Sequence, residues 1–242
     1  MRIRTLTPEQ SPDWHRILHR LPAHDAYFLP EYHLAYERNG DGAATAFAAE
    51  EGGEILFHPF LVRPITRVGK TATTEGWSDI ETVYGYSGPL ATTTDPEFLR
   101  SSWSAFSDWC SEQRIVAEFI RFHPIADTTR FADASIRITR QRETVVLDLE
   151  STEEALWQSY PSRQRNMVRK ARKRGLVGRR ANLVADLETF HKLYRSTVER
   201  LQADRYYRFS RAYFSTLTHD EKNHVHLFEV RDDARVAAAA LF

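Results

Sequence analysis

The predicted order of elements constrains this chain most, because the same order occurs twice. Near the start, a helix over about 12–20 leads through the aromatic loop Tyr27-Phe28-Leu29-Pro30 to a second helix over about 31–38. A hairpin follows, with strands at 44–50 and 54–63 joined at Gly52-Gly53, the residues that supply positive φ to a tight turn. In the second half, Asp186 precedes Leu187, Phe190, Tyr194, Val198 and Leu201, which fall on one face of a helix. An aromatic loop, 204–209, then leads to a short helix over 210–217 and a hairpin at 225–231 and 235–242 turning at Asp232-Asp233. Trp14 and Gly52 stand 38 residues apart, and Phe190 and Asp232 stand 42 apart. Two domains of mixed α/β structure built on one plan are therefore expected; the competing reading is coincidence between two α/β halves.

The boundary falls near 141. There a polar stretch runs into Thr144-Val-Val-Leu-Asp-Leu149, read as an apolar strand, and Ser151 to Glu154 has the spacing of a capping box, so a helix should start at about Thr152. Beyond its hairpin the first copy continues through Trp77–Leu90, a helix over 96–113 built on Phe98, Leu99, Trp103, Phe106 and Cys110, and a strand over 115–122. The second copy stops inside the apolar strand 236–242, whose outer edge would be open. The expectation is a truncated chain, with a stretch about as long as 54–141 missing after Phe242.

Composition narrows the class. At 42% hydrophobic and 12% aromatic the chain can bury a core and is not disordered. It has no apolar run near the ~20 residues of a membrane span, and its one cysteine cannot form an intrachain disulfide. The N-terminus lacks the apolar core of a secretion signal, so a cytoplasmic location is expected. The zero net charge is a cancellation: residues 1–150 carry 15 basic and 22 acidic side chains, and 151–242 carry 18 and 11. An anionic partner belongs with the second half.

Nine of the 18 residues from Arg163 to Arg180 are Lys or Arg, and none is acidic. Pro161 suits the first turn of a helix and Gly175 its end, with Met167, Val168 and Ala171 as a narrow packed stripe. Arg165, Arg169 and Arg172 share a neighbouring face that could grip phosphates through guanidinium forks. The bland alternative is a solvated basic helix. Tyr84-Gly-Tyr-Ser-Gly-Pro89 describes a tight loop where backbone can approach a ligand and tyrosines can line a pocket, or else an ordinary turn with packed aromatics. Tyr206, Tyr207 and Arg208 either reach a cleft or pack as core. His219, His224 and His226 lack the Cys or acidic partners and the helical spacing of a zinc site, so no metal is expected. His58 and His123 lie near no nucleophile signature, and Cys110, on an apolar helix face, reads as a buried thiol.

The loop Tyr84–Leu90, the basic helix Arg165–Gly175 and the following Phe190-His-Lys-Leu-Tyr-Arg-Ser-Thr-Val-Glu-Arg200 resemble the Fem family of peptidoglycan aminoacyltransferases and their acyltransferase relatives. The resemblance covers nearly the whole chain and implies tandem GNAT-like domains, here 1–141 and an incomplete 142–242. It implies transfer of an activated acyl group, from aminoacyl-tRNA or acyl-CoA, to an amine of a cell-wall precursor or a related small molecule, with no bound cofactor. The anionic or nucleotide-linked acceptor would meet Arg165, Asn166, Arg169 and Lys173, with Tyr36, Tyr84, Tyr86, Tyr207 and Arg208 as further substrate contacts. Family members often carry a phosphate-binding Lys in the early helix; Tyr32-His-Leu-Ala-Tyr36 has none, which puts a standard nucleotide acceptor in question. No catalytic residue is identified, Asp79 and Glu81 being candidates for the base. The alternative from another class is a non-catalytic RNA- or phosphate-binding module using helix 161–174; tRNA suits either reading, and a peripheral membrane contact stays open.

Overall fold

In a computed structural model, which describes residues 1–219, 225–233 and 235–242, Gly52 and Gly53 take φ of 60° and 92°. The turn they form joins β2 (Ala43–Glu51) to β3 (Glu54–Pro64) in unbroken antiparallel register from Glu51↔Glu54 to Ala43↔Val62. The chain divides into two compact units, Met1–Thr139 with Ser210–His219, and Arg140–Phe209 with Asp220–Phe242.

The first unit opens with β1 (Arg2–Leu6), which pairs with β2. Helices α1 (Ser11–Leu18) and α2 (Pro30–Asn39) follow. Pro30 occupies the first turn of α2, where its missing N–H costs nothing, and Gly40 closes the helix at φ 90°. Beyond β3 come the small ribbon β4 (Arg67–Val68) with β5 (Thr71–Ala72), then β6 (Ser78–Glu81) and β7 (Leu90–Ala91), both on β3. Helix α3 (Pro96–Glu112) is capped by Asp95, whose side chain accepts from Phe98 N at 2.9 Å, and leads to β8 (Ile115–Phe119), parallel to β6. The sheet order is β1-β2-β3-β6-β8 with β7 beside β3.

Residues 55–61 of β3 are buried without interruption because both faces are covered. Phe57 meets Trp14 of α1 on one side, and Phe60 and His58 meet Phe106 of α3 on the other. The two large indoles satisfy their N–H groups within this core, Trp14 on Phe28 O and Trp103 on Phe131 O, both at 2.8 Å.

In the second unit, α4 (Glu153–Ser159) begins where expected, with Thr152 Oγ1 accepting from Ala155 N at 3.2 Å. Helix α5 (Ser162–Lys173), strand β9 (Val177–Arg180) and helix α6 (Leu187–Arg200) follow. Asp186 stands at the N-terminus of α6, yet its carboxylate turns back to Asn182 N at 2.9 Å and Arg179 at 3.1 Å instead of capping the helix. Helix α7 (Arg211–Thr218), capped by Ser210, belongs to the first unit, where it packs on α2. Strands β10 (Leu227–Arg231) and β11 (Val236–Leu241) make the second hairpin, and β9 adds to its other side. Arg179 also reaches Glu229 of β10 at 2.7 Å, compensating a carboxylate that is only 1% exposed.

The observed class is mixed α/β, with seven α-helices and several sheets among the described residues. Two expectations fail. Residues 144–149 form no strand; Val145 is 93% exposed and Leu149 80%, because no described strand pairs with them. Met167, Val168 and Ala171 are not a packed stripe: α5 buries no residue, Met167 is 63% exposed, and the opposite face of the helix makes the contacts. Sequence reasoning also missed β1, β6 and β9. His224, and Ala234 in the second hairpin, lie outside the described residues. No described helix is long and apolar enough to cross a membrane.

Candidate functional site: an extruded loop and a basic helix

The parallel pair β6/β8 opens just past its last paired residues, Glu81 and Phe119. Thr82 N still donates to Phe119 O at 3.1 Å, and Arg121 N to Thr82 Oγ1 at 3.0 Å. The ladder then resumes at Ser87, whose N–H donates to Arg121 O at 2.9 Å and whose carbonyl accepts from His123 N at 3.0 Å. Residues 83–86 are thereby pushed out of the sheet.

Two glycines make the excursion possible. Gly85 lies at φ 112°, and a Cβ there would overlap the Tyr27 ring, with Cδ1 at 2.7 Å. Gly88 lies at φ 100°, where a Cβ would come 2.9 Å from Thr128 Oγ1. Tyr27 packs edge-on against Tyr32 and Tyr86, and the Tyr32 hydroxyl donates to Tyr84 O at 2.8 Å. Behind them, Tyr213 OH donates to the buried Tyr36 OH at 2.9 Å, which lies 3.3 Å from Tyr32 OH. Burial raises the Tyr27 and Tyr36 phenols above their usual range, so both act as neutral hydroxyls.

At the base of the loop, Arg63 grips both oxygens of Asp79, at 2.7 and 3.0 Å, and reaches Glu81 Oε1 at 2.6 Å. Burial pushes the Glu81 carboxyl above the usual carboxylate value, an effect that Arg63 and Arg121 only partly offset. Of the two candidate bases, Glu81 is therefore the better suited to take a proton, since Asp79 is held in a bidentate pair. The Arg121 guanidinium lies over the Tyr84 ring, 5.3 Å from its centroid.

The histidines do not compete for that role. His123 Nδ1 accepts from Ile125 N and Ala126 N at 3.2 and 2.9 Å, so Nε2 carries the proton it gives to Asp25, 2.6 Å away. His58 is fully buried beneath α3 with Nε2 2.6 Å from Glu118 Oε1. Cys110 is half-buried, and burial pushes its thiol up to about 12, too high for a nucleophile.

In the second unit, the helix pair α4/α5 is joined by arginines. Arg165 Nη1 donates to Gln158 O and Tyr160 O, both at 2.9 Å, satisfying carbonyls at the end of α4. The guanidinium carbons of Arg169 and Arg172 lie 5.5 and 5.8 Å from the Trp157 ring centroid. Gly175, at φ 76°, lets Leu176 N return to Ala171 O at 3.2 Å and ends α5.

Residues 133–231 match the model of the FemAB family. The structure is also similar to the crystal structure of FemX, with a TM-score of 0.62 at 18% identity, over 96% of this chain and 58% of FemX. The family match covers less than half of the chain, and the likeness to FemX is one of fold. The chain thus spans less than two thirds of FemX, and no curated protein sequence matches it.

The fold brings Tyr36, Tyr84 and Tyr86 into one aromatic cluster of the first unit, with Tyr36 supporting from below and not lining a surface. Arg165, Asn166, Arg169 and Lys173 all lie on α5, with Asn166 Oδ1 accepting from Arg169 at 3.2 Å. Tyr207 and Arg208 are exposed after α6, where the Tyr207 carbonyl accepts from Tyr194 OH at 2.5 Å. Sequence reasoning missed Tyr32, Arg63, Arg121 and Trp157. Their roles arise from pairings across distant segments, and no local spacing announces them. His226 Nδ1 lies 2.7 Å from Arg180 Nη2.

Proposed function

We propose that this Fem-type chain is an acyl- or aminoacyl-transferase that moves an activated acyl group, from aminoacyl-tRNA or acyl-CoA, to an amine of a cell-wall precursor or related small molecule in the cytoplasm. Two GNAT-like domains, 1–141 and 142–242, would carry it. The observation that supports this reading is the loop 83–86, extruded between parallel strands, with Glu81 and Arg121 at its base. An opening at the C-terminal ends of parallel strands is where α/β sheets bind ligands. The acceptor amine would lie against Tyr84 and Tyr86 and attack the ester or thioester carbonyl directly, with no covalent enzyme intermediate, the new C–N bond replacing the C–O or C–S bond as the tRNA hydroxyl or CoA thiol leaves. Glu81 would take the ammonium proton, and positioning would supply most of the acceleration, about 7–11 kcal/mol in well-oriented systems.

The test is a panel: purified protein is incubated with aminoacyl-tRNAs or acetyl-CoA and UDP-linked muramyl peptides, and new amides are read by mass spectrometry. An acylated peptide that Glu81→Gln makes at least 100-fold more slowly, with the acid limb of the pH–rate profile lost, supports the reading. Absence of any acylated product across the panel overturns it.

A further inference from the structure

One face of the sheet, where β6 and β8 end, gathers a carboxyl, a cation and two rings. Glu81 and Phe119 are paired in register across the two strands, so their side chains leave the sheet on the same side; Arg121, two residues beyond Phe119, follows them. The Arg121 guanidinium lies 5.3 Å from the centroid of the Tyr84 ring and 5.3 Å from that of Phe119, and both rings are exposed. Contact with ring faces steadies the charge but takes none of the N–H donors, which lie in the guanidinium plane. Those donors have no hydrogen bond or ion pair with a described residue. Arg63, by contrast, gives its donors to Asp79 and Glu81. Arg121 is near enough to offset part of the rise in the Glu81 carboxyl, yet among the described residues no ion pair joins the two. A proton-accepting carboxyl and an unspent guanidinium fork thus stand side by side without touching.

We propose that Arg121 anchors a carboxylate, and that the acceptor is an aminocarboxylate head group, with its amine and carboxylate on one carbon. This substrate class rests on the transferase reading, which supplies the fate of the amine. Charge selects it. Around Glu81, the cations Arg63 and Arg121 stand against Asp79, Asp41 and Glu81 itself, so no net positive charge awaits a phosphate dianion. A phosphate on Arg121 would be repelled by the neighbouring carboxylates, and a simple amine would leave the fork unused. A zwitterion meets both groups: its carboxylate accepts two parallel hydrogen bonds from Arg121, and its ammonium donates to Glu81. Because one carbon joins the two charges, holding the carboxylate also fixes the amine in front of Glu81. Arg121 is therefore a specificity-determining residue, and Tyr84 and Phe119 hold its guanidinium in place.

Saturation-transfer NMR titrations of the full chain, with no acyl donor present, test the two charges separately. The probes are alanine, alaninamide, which lacks the carboxylate, and N-acetylalanine, which lacks the amine; γ-glutamylglycine carries the same head on a peptide. Alanine or γ-glutamylglycine is expected to bind at least about tenfold more tightly than either blocked form, through the fork that a carboxylate alone can use. The tighter of the two shows whether the head is taken free or on a larger molecule. Arg121→Lys keeps the charge and loses the fork, so it should raise that Kd at least about tenfold while its circular dichroism matches wild type. The proposal fails if alaninamide binds as tightly as the head-bearing probes, if neither of those binds, or if Arg121→Lys binds them as wild type does. It also fails, with the transferase reading intact, if alaninamide is acylated as fast as alanine. Conversely, head-bearing probes that bind through Arg121 but gain no acyl group from aminoacyl-tRNA or acetyl-CoA overturn the transferase reading and leave the carboxylate anchor standing.

Discussion

The extruded loop of the first unit and the basic helix of the second are both rich in candidate binding groups, but they are held by different physics. The loop is fixed from within: Gly85 lies against Tyr27, Ser87 rejoins the ladder, and Tyr32 ties down the Tyr84 carbonyl. Helix α5 buries no side chain and rests on α4 through guanidinium contacts with a ring and two carbonyls. Substitutions in the loop should therefore act through packing and stability. On the outward face of α5 they should act through charge alone.

The sharpest way to break this contrast is at the core beneath the loop's sheet. Trp103→Ala removes an indole packed on His58 and Phe106 and orphans Phe131 O, and should cost about 3–5 kcal/mol in urea unfolding. Next comes Gly85→Ala, expected to cost about 2–4 kcal/mol because it combines positive φ with overlap on Tyr27. A loss under 1 kcal/mol would show that the loop is not held by packing. Trp157→Ala, by contrast, should cost only about 1–2 kcal/mol, from two cation–π contacts and an edge-on contact with Tyr160, and leave the first unit's melting unchanged. Tyr32→Phe deletes one hydroxyl bond to the loop and should cost about 1 kcal/mol.

The smallest effect is one of pH. Burial holds the Glu81 proton more tightly in the folded chain than in the unfolded one. The stability this contributes is present below the unfolded value near 4.5 and is lost as pH rises through the higher folded value. Glu81→Gln should remove that fall, so the stability of wild type relative to the variant should decline as pH rises above about 4.5. A difference that stays flat between pH 4 and 7 would mean that the carboxyl is not desolvated.

Punctuation made much of the fold legible. Gly52-Gly53, Pro30, Thr152 and Ser210 each mark an element end that the structure contains, because caps and turns are decided by neighbours in the chain. Strand assignment failed where it depended on a distant partner. Val145 to Leu149 has the composition of a strand yet pairs with nothing described, while Ser78–Glu81, given no element from the sequence, is the strand that β8 joins in parallel.

The candidate site divides in the same way. By itself, the sequence determined that a dense block of cations ends at Gly175, that glycines would let a tyrosine loop leave the regular backbone, and that Cys110 sits on an apolar helix face. Those properties belong to residue types and to spacing along one element. Only the tertiary structure decided that Arg63 holds Asp79 through two donors and Glu81 through one, and that burial raises the Glu81 carboxyl. Likewise, which side of α5 faces outward follows from the placement of Trp157 and two carbonyls of α4, a contact between helices that the charge pattern of one helix cannot specify.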